Sequence, residues 1–129
     1  MAVKVTNTGL AMMTARILGV TTGNGSTAPS FLKMGTGTTA PTNGDTQLSA
    51  PVSVGAGVIS RITAAVTLDT YQVTGELEAV SASAITEVGL FDGTAANANM
   101  FLRSTFAAIN LGQYDSIQFS IHVIFQDSN

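Results

Sequence analysis

The stretch Ile85–Gly93, ITEVGLFDG, decides how this chain of 129 residues is read. Val88, Leu90 and Phe91 crowd around the single carboxylate of Glu87, and Asp92-Gly93 offers a tight turn at the exit. Such a run closed by Asp-Gly is a strand followed by a turn. Two later runs share its character, Met100–Phe106 and Ile117–Phe125. In the last, Ile117, Phe119, Ile121, Val123 and Phe125 alternate with Gln118, Ser120 and His122, the period of a strand with one covered face. Ile85–Phe91 and Met100–Phe106 are expected to pair across the loop Asp92–Asn99, which is rich in Gly, Ala and Asn.

Towards the N-terminus the alternation continues. Ile62, Ala64, Val66 and Leu68 form one run; beyond Asp69-Thr70, Tyr71, Val73, Gly75, Leu77 and Ala79 form another. A hairpin or a bent ribbon fits both. Gly35–Asp45, GTGTTAPTNGD, leaves little room for regular structure, and the short strand Phe31–Met34 leads into it. Thr8–Leu18 has the spacing of a helix, with Leu10, Met13, Ile17 and Leu18 on one face, Thr6 or Asn7 as its cap and Gly19 as its stop. A polar loop, Val20–Ser30, follows it. Met1–Thr6 reads as an extended arm; its Val3, Lys4 and Val5 are the residues assigned to protein contact, because Val3 and Val5 can add to a neighbouring sheet edge. Pro51 and the segment Gly55–Gly57 are suited to protecting another edge. Strands at this spacing predict a mainly β fold, an antiparallel β-sandwich or jelly-roll-like domain with one short N-terminal helix. One domain is expected over residues 1–129, its main strand-rich region at 59–126.

Composition narrows the function classes. The chain is 45% hydrophobic and only 10% charged, against about 25% charged for an average soluble domain. A surface held in water by Thr, Ser, Asn and Gln can lie against a partner without desolvating many ions, which points to permanent assembly. The net charge of −3 and the scattered Lys4, Arg16, Lys33, Arg61 and Arg103 argue against nucleic acid as a partner. With no cysteine, disulfides and thiolate metal sites are excluded. No run approaches the ~18 apolar residues of a membrane span, and Thr6, Asn7, Thr8 and Arg16 interrupt any signal-like stretch, so a soluble, untargeted chain is expected.

The candidate chemical motifs each have a plainer explanation. Gly35-Thr36-Gly37-Thr38-Thr39-Ala40 matches a dinucleotide fingerprint in letters, but Pro41 and Asn43-Gly44 follow at once and leave no helix N-terminus for a pyrophosphate. His122 is the only histidine and falls on the less apolar face of its strand, so a polar-face or interface residue is preferred to a metal ligand. Glu76 and Glu78 share one strand face and are read as solvated acids rather than an acid–base pair. Asp92, Asn97 and Asn99 miss the spacing of calcium loops and are read as a turn. Asn24-Gly25-Ser26 fits a glycosylation sequon. No Gly-x-Ser-x-Gly elbow is present. Glu87 is read as a structural carboxylate accepting backbone hydrogen bonds. These readings predict no enzyme activity, no cofactor, no metal and no small-molecule substrate.

In order along the chain, TNTGLAMMTARI (Thr6–Ile17), FLKMGTGTTAPTNGDTQL (Phe31–Leu48), DTYQVTGELEA (Asp69–Ala79), AITEVGLFDG (Ala84–Gly93), MFLRSTF (Met100–Phe106) and YDSIQFSIHVIFQ (Tyr114–Gln126) make a composite pattern. It resembles the capsid cement, or head decoration, proteins of tailed bacteriophages. The Gly-Thr-Gly loop and the Glu-x-Gly-Leu-Phe-Asp pattern also look like parts of phage tail-collar and tail-fibre proteins. The resemblance implies a structural protein on the outer surface of the virion capsid, made in the cytoplasm of a host bacterium. Its implied partners are the major capsid protein and further copies of itself, a dimer favoured over a trimer. A tail adaptor or fibre-base protein is the rival reading, and a carbohydrate-binding sandwich another, though Tyr71 and Tyr114 are the only residues with tyrosine rings and there is no Trp.

Overall fold

The computed structural model describes residues 1–23 and 25–126. Among them eight strands and one helix follow the order β1 (Ala2–Val5), α1 (Asn7–Leu18), β2 (Phe31–Gly35), β3 (Pro51–Ala56), β4 (Val58–Ile62), β5 (Thr70–Glu78), β6 (Ser83–Phe91), β7 (Met100–Leu111) and β8 (Ser116–Ile124). They form two antiparallel sheets, β1-β7-β6-β2-β3 and β4-β5-β8. The mainly β fold with a short N-terminal helix therefore stands, the strands divided five and three between layers stacked as a sandwich.

Strand β6 is the central strand of the larger sheet, with β7 on one side and β2 on the other. Its residues Glu87–Phe91 are all buried, as are Leu32–Gly35 of β2. Continuous burial along a strand means that both faces are covered. The inner face carries Leu32, Met34, Val88, Leu90 and Leu102 against Val73 and Leu77 of β5. The outer face is covered by the irregular segment after β2, whose Leu48 packs on Phe91 and Met100. The smaller sheet keeps strict alternation: in β8, Ile117, Phe119, Ile121 and Val123 are half-buried and the intervening residues exposed.

Several sequence expectations change. Met1–Thr6 is not a free arm: β1 lies along β7, Ala2 opposite Thr105 and Val5 opposite Leu102. Pro51–Ala56 forms an edge strand that the sequence reading treated only as edge protection. Ala64–Leu68 is not strand; it is a loop wound on the carboxylate of Asp69, which accepts from the backbone N–H groups of Ala64, Ala65 and Val66. Three aimed N–H donors outweigh a strand ladder that lacks a partner beyond Ile62. The hairpin β4–β5 itself is present, Ile62 opposite Thr70. Asp92-Gly93 is not a two-residue turn but the start of an eight-residue loop, closed where Asp92 receives both the N–H and the side-chain amide of Asn99.

The helix is placed as expected and rotated otherwise. Thr6 caps it by accepting from Gly9 N–H, and Gly19 ends it in the left-handed region. Its covered residues are Gly9 and Met12, while Leu10, Ile17 and Leu18 are exposed. Gly9 explains the rotation: a Cβ there would run into the backbone carbonyl of Phe101 on β7. The one residue without a side chain lets the helix backbone approach the strand, and that contact fixes which side faces in.

Candidate functional site

Glu87, the lone acid of the opening stretch, is fully buried. Its Oε1 accepts from the N–H of Gly37 at 3.0 Å and of Ala50 at 2.8 Å, and its Oε2 from the N–H of Ser49 at 3.1 Å. Its cationic partner is Arg103 of β7, with Nη2 at 2.9 Å from Oε2. Strand register explains the meeting: Glu87 lies opposite Thr105 and Arg103 opposite Gly89, so the two side chains are diagonal neighbours on one face. Arg103 also donates from Nη1 to Asp45 at 2.9 Å, and from Nη2 to the carbonyl of Thr39 at 2.9 Å and the hydroxyl of Ser49 at 3.1 Å. Burial works to raise the Asp45 carboxyl, but hydrogen bonds from the Thr42 backbone and hydroxyl, with the Arg103 guanidinium, hold it below the usual carboxylate range.

This cluster ties residues 37–50 down over β6. The letters of the dinucleotide fingerprint serve that end, since a Cβ on Gly37 would collide with Glu87 Oε1 and the Ser49 side chain. Glu87 thus accepts backbone hydrogen bonds as the sequence suggested. What the sequence reading missed is the role of Arg103, counted there among the scattered basic residues, and of Asp45, read only as the end of an irregular loop. The signal was available: one cation inside an apolar strand, across a hairpin from one anion inside another. The arrangement holds a loop, its carboxylates engaged by backbone N–H groups and the guanidinium.

Other predicted residues are dispersed. His122 is exposed on β8, its Nε2 at 3.0 Å from Gln72 Nε2 and 3.2 Å from Ser120 Oγ. Glu76 and Glu78 are exposed on β5. Among the described residues no group of three or more His, Cys, Asp or Glu is placed to hold a metal ion. No helix there is long and apolar enough to cross a membrane. The sequon falls on Asn24, outside the described residues. Val3 and Lys4 are exposed and Val5 half-buried.

An apolar cleft of about 440 Å³ lies between α1 and one end of the smaller sheet. Met12, Met13 and Ile17 line it from the helix and Tyr71, Val123 and Phe125 from the sheet side, with Arg16 and Arg61 at its border. Tyr71 donates its hydroxyl to the carbonyl of Pro29 at 2.6 Å, and burial pushes its phenol up to about 12. Lys33 on β2 is likewise shifted down by burial, opposed by the nearby charge of Asp92; its ammonium donates to Ala95 O and lies 4.3 Å from the Phe91 ring centre.

Comparison with protein-family models, with curated proteins and with solved structures finds no match for this chain.

Proposed function

We propose that this chain is a structural virion protein, a cement or decoration protein that binds the outside of an assembled phage head and clamps neighbouring major capsid subunits. The observation that carries the reading is the character of its surface. Sixteen large apolar side chains are exposed among the described residues, on a chain with five basic and eight acidic residues. They include Val52 and Val54 of β3, Val58 and Ile59 of β4, and Leu10, Ile17 and Leu18 of α1. A surface this rich in apolar side chains and poor in charge suits a protein that works against a partner. The ordered resemblance from Thr6 to Gln126 supplies the kind of partner, a capsid subunit, and a two-site engagement would raise the effective concentration of the second contact. The buried Glu87–Arg103 pair suits such a role, because it stiffens the loop that covers the larger sheet.

The test is copy number per purified particle, by quantitative mass spectrometry. Hundreds of copies are expected. A single ring of roughly six or twelve copies would move the protein to the tail, and absence from particles would remove both readings. Heads stripped of the protein should release DNA at a lower temperature than complete heads; unchanged release would remove the clamp.

A further inference from the structure

Among the described residues the two sheets present four free edges, β1 and β3 in the larger and β4 and β8 in the smaller. Free edges are templates for another strand, and proteins blunt them with short length, charge, proline or irregularity. Three of the four edges carry such a device. β1 has four residues and includes Lys4. β3 begins at Pro51, where the register with β2 is interrupted. β4 contains Arg61. β8 carries none: its nine residues, SIQFSIHVI, contain no Lys, Arg, Asp, Glu, Pro or Gly, and its register with β5 runs without a bulge from Ser116 to Ile124.

We infer that β8 is a self-association edge, pairing antiparallel with β8 of a second copy about a two-fold axis to give a continuous six-stranded sheet. Hydrogen-bond direction shows what is on offer. At the two ends of the ladder Phe125 N–H donates to Asp69 O and Ala79 N–H to Asp115 O, so the odd-numbered residues of β8 are the ones bonded to β5. Gln118, Ser120, His122 and Ile124 therefore aim their backbone N–H and C=O groups at the open edge. A two-fold axis perpendicular to the sheet keeps the inner faces together. It brings Ile117, Phe119, Ile121 and Val123, half-buried in one copy, beside the same row of the partner. Opposed pairs are then apolar with apolar on the inner face and uncharged polar on most of the outer. An edge without charge is self-complementary in a way that β1 or β4, with Lys4 or Arg61 meeting its own copy, is not.

Nine residues give ~30 Å of edge. With side chains on both faces that is on the order of 400 Å² per copy, below the size of a stable interface, so a weak and concentration-dependent dimer is expected. The pairing rests on the cement-protein reading, whose resemblance implies further copies of the chain as partners, and gives that self-association a surface. Its test reads solution mass and amide exchange, so its failure leaves the copy-number test of virion membership unaffected.

The full chain is examined by sedimentation equilibrium and amide hydrogen exchange over roughly 1–100 µM. The mass should rise from 13.2 kDa towards twice that value. The amides of Gln118, Ser120, His122 and Ile124 should gain protection as it does, while those of Ile117, Phe119, Ile121 and Val123 stay protected throughout. Ser120→Pro removes an N–H aimed at the open edge and none bonded to β5; it should remain monomeric with the odd-numbered amides still protected. Should that variant fail to fold, the double substitution Gln118→Lys with His122→Lys places like charges across the pair and should also stay monomeric. A wild-type chain that is monomeric at the highest concentration overturns the proposal. So does a dimer that survives in a folded variant, or one whose even-numbered amides exchange freely.

Discussion

The outer face of the larger sheet and the inner face of the smaller one are built on opposite rules. Around β6 and β7 the sheet is covered on both sides, and an ion pair, three backbone N–H groups and two hydroxyls fill a buried polar cluster. Around β8 the contacts are apolar and half-covered, with no charge on the strand. The comparison teaches that the polar cluster is the closed part of the molecule and the apolar row the open part. Burying a charge costs so much that it is done only where every lone pair finds a donor. Apolar side chains impose no such condition and can be left for a partner to cover.

The sharpest way to break this contrast is Arg103→Ala. It strands Glu87 without its cation and releases Asp45, and should cost about 3–5 kcal/mol in denaturant unfolding. A loss under ~1 kcal/mol would mean that the cluster holds nothing together.

A paired truncation sharpens the other half. Leu90→Ala in the fully covered core should cost ~2–5 kcal/mol, whereas Ile121→Ala on the half-covered row, measured at a concentration where the chain is monomeric, should cost about half as much. Equal losses would show that the row of β8 is already closed in one copy.

Acid should produce the smallest effect. Hydrogen bonds hold the carboxyls of Asp45 and Asp69 below their ordinary range, with burial opposing both shifts. For Asp69 the leading cause is the Val66 backbone N–H, followed by those of Ala64 and Ala65. A folded-state pKa below the unfolded value of about 3.9 contributes stability that is present above that pH and lost as the pH falls towards the folded value. Melting temperature should drop in wild type between pH 5 and pH 2. Asp45→Asn and Asp69→Asn should lie below wild type at pH 7, and the gap should narrow as the pH falls from 5 to 2. Parallel curves for either variant would exclude its aspartate as a source of the acid dependence.

How far the sequence carried differs between the same regions. Alternation in Ile117–Phe125 and Tyr71–Ala79 translated directly into β8 and β5, because a strand with one covered face writes its orientation into every second residue. The pairing of Ile85–Phe91 with Met100–Phe106 was also legible, since a short loop permits little else. The helix was legible in its limits and not in its rotation. Leu10, Ile17 and Leu18 mark an apolar stripe, yet the side facing in is set by where a backbone can approach, and Gly9 does not register in a hydrophobic pattern. Ala64–Leu68 failed for a related reason, as an alternating run turned into a loop once Asp69 supplied acceptors that periodicity does not count.

By itself, then, the sequence determined that the chain is mainly β, where its best strands lie and that Glu87 of the ITEVGLFDG stretch is structural, because these follow from period, turn chemistry and the cost of burying an acid. Only the tertiary structure decided that Arg103 and Asp45 join Glu87, that residues 2–5 pair along β7 of their own sheet, and that β8 is an edge strand. Those depend on which strands become neighbours across dozens of residues. A local pattern fixes the face of a strand, but not what lies beside it.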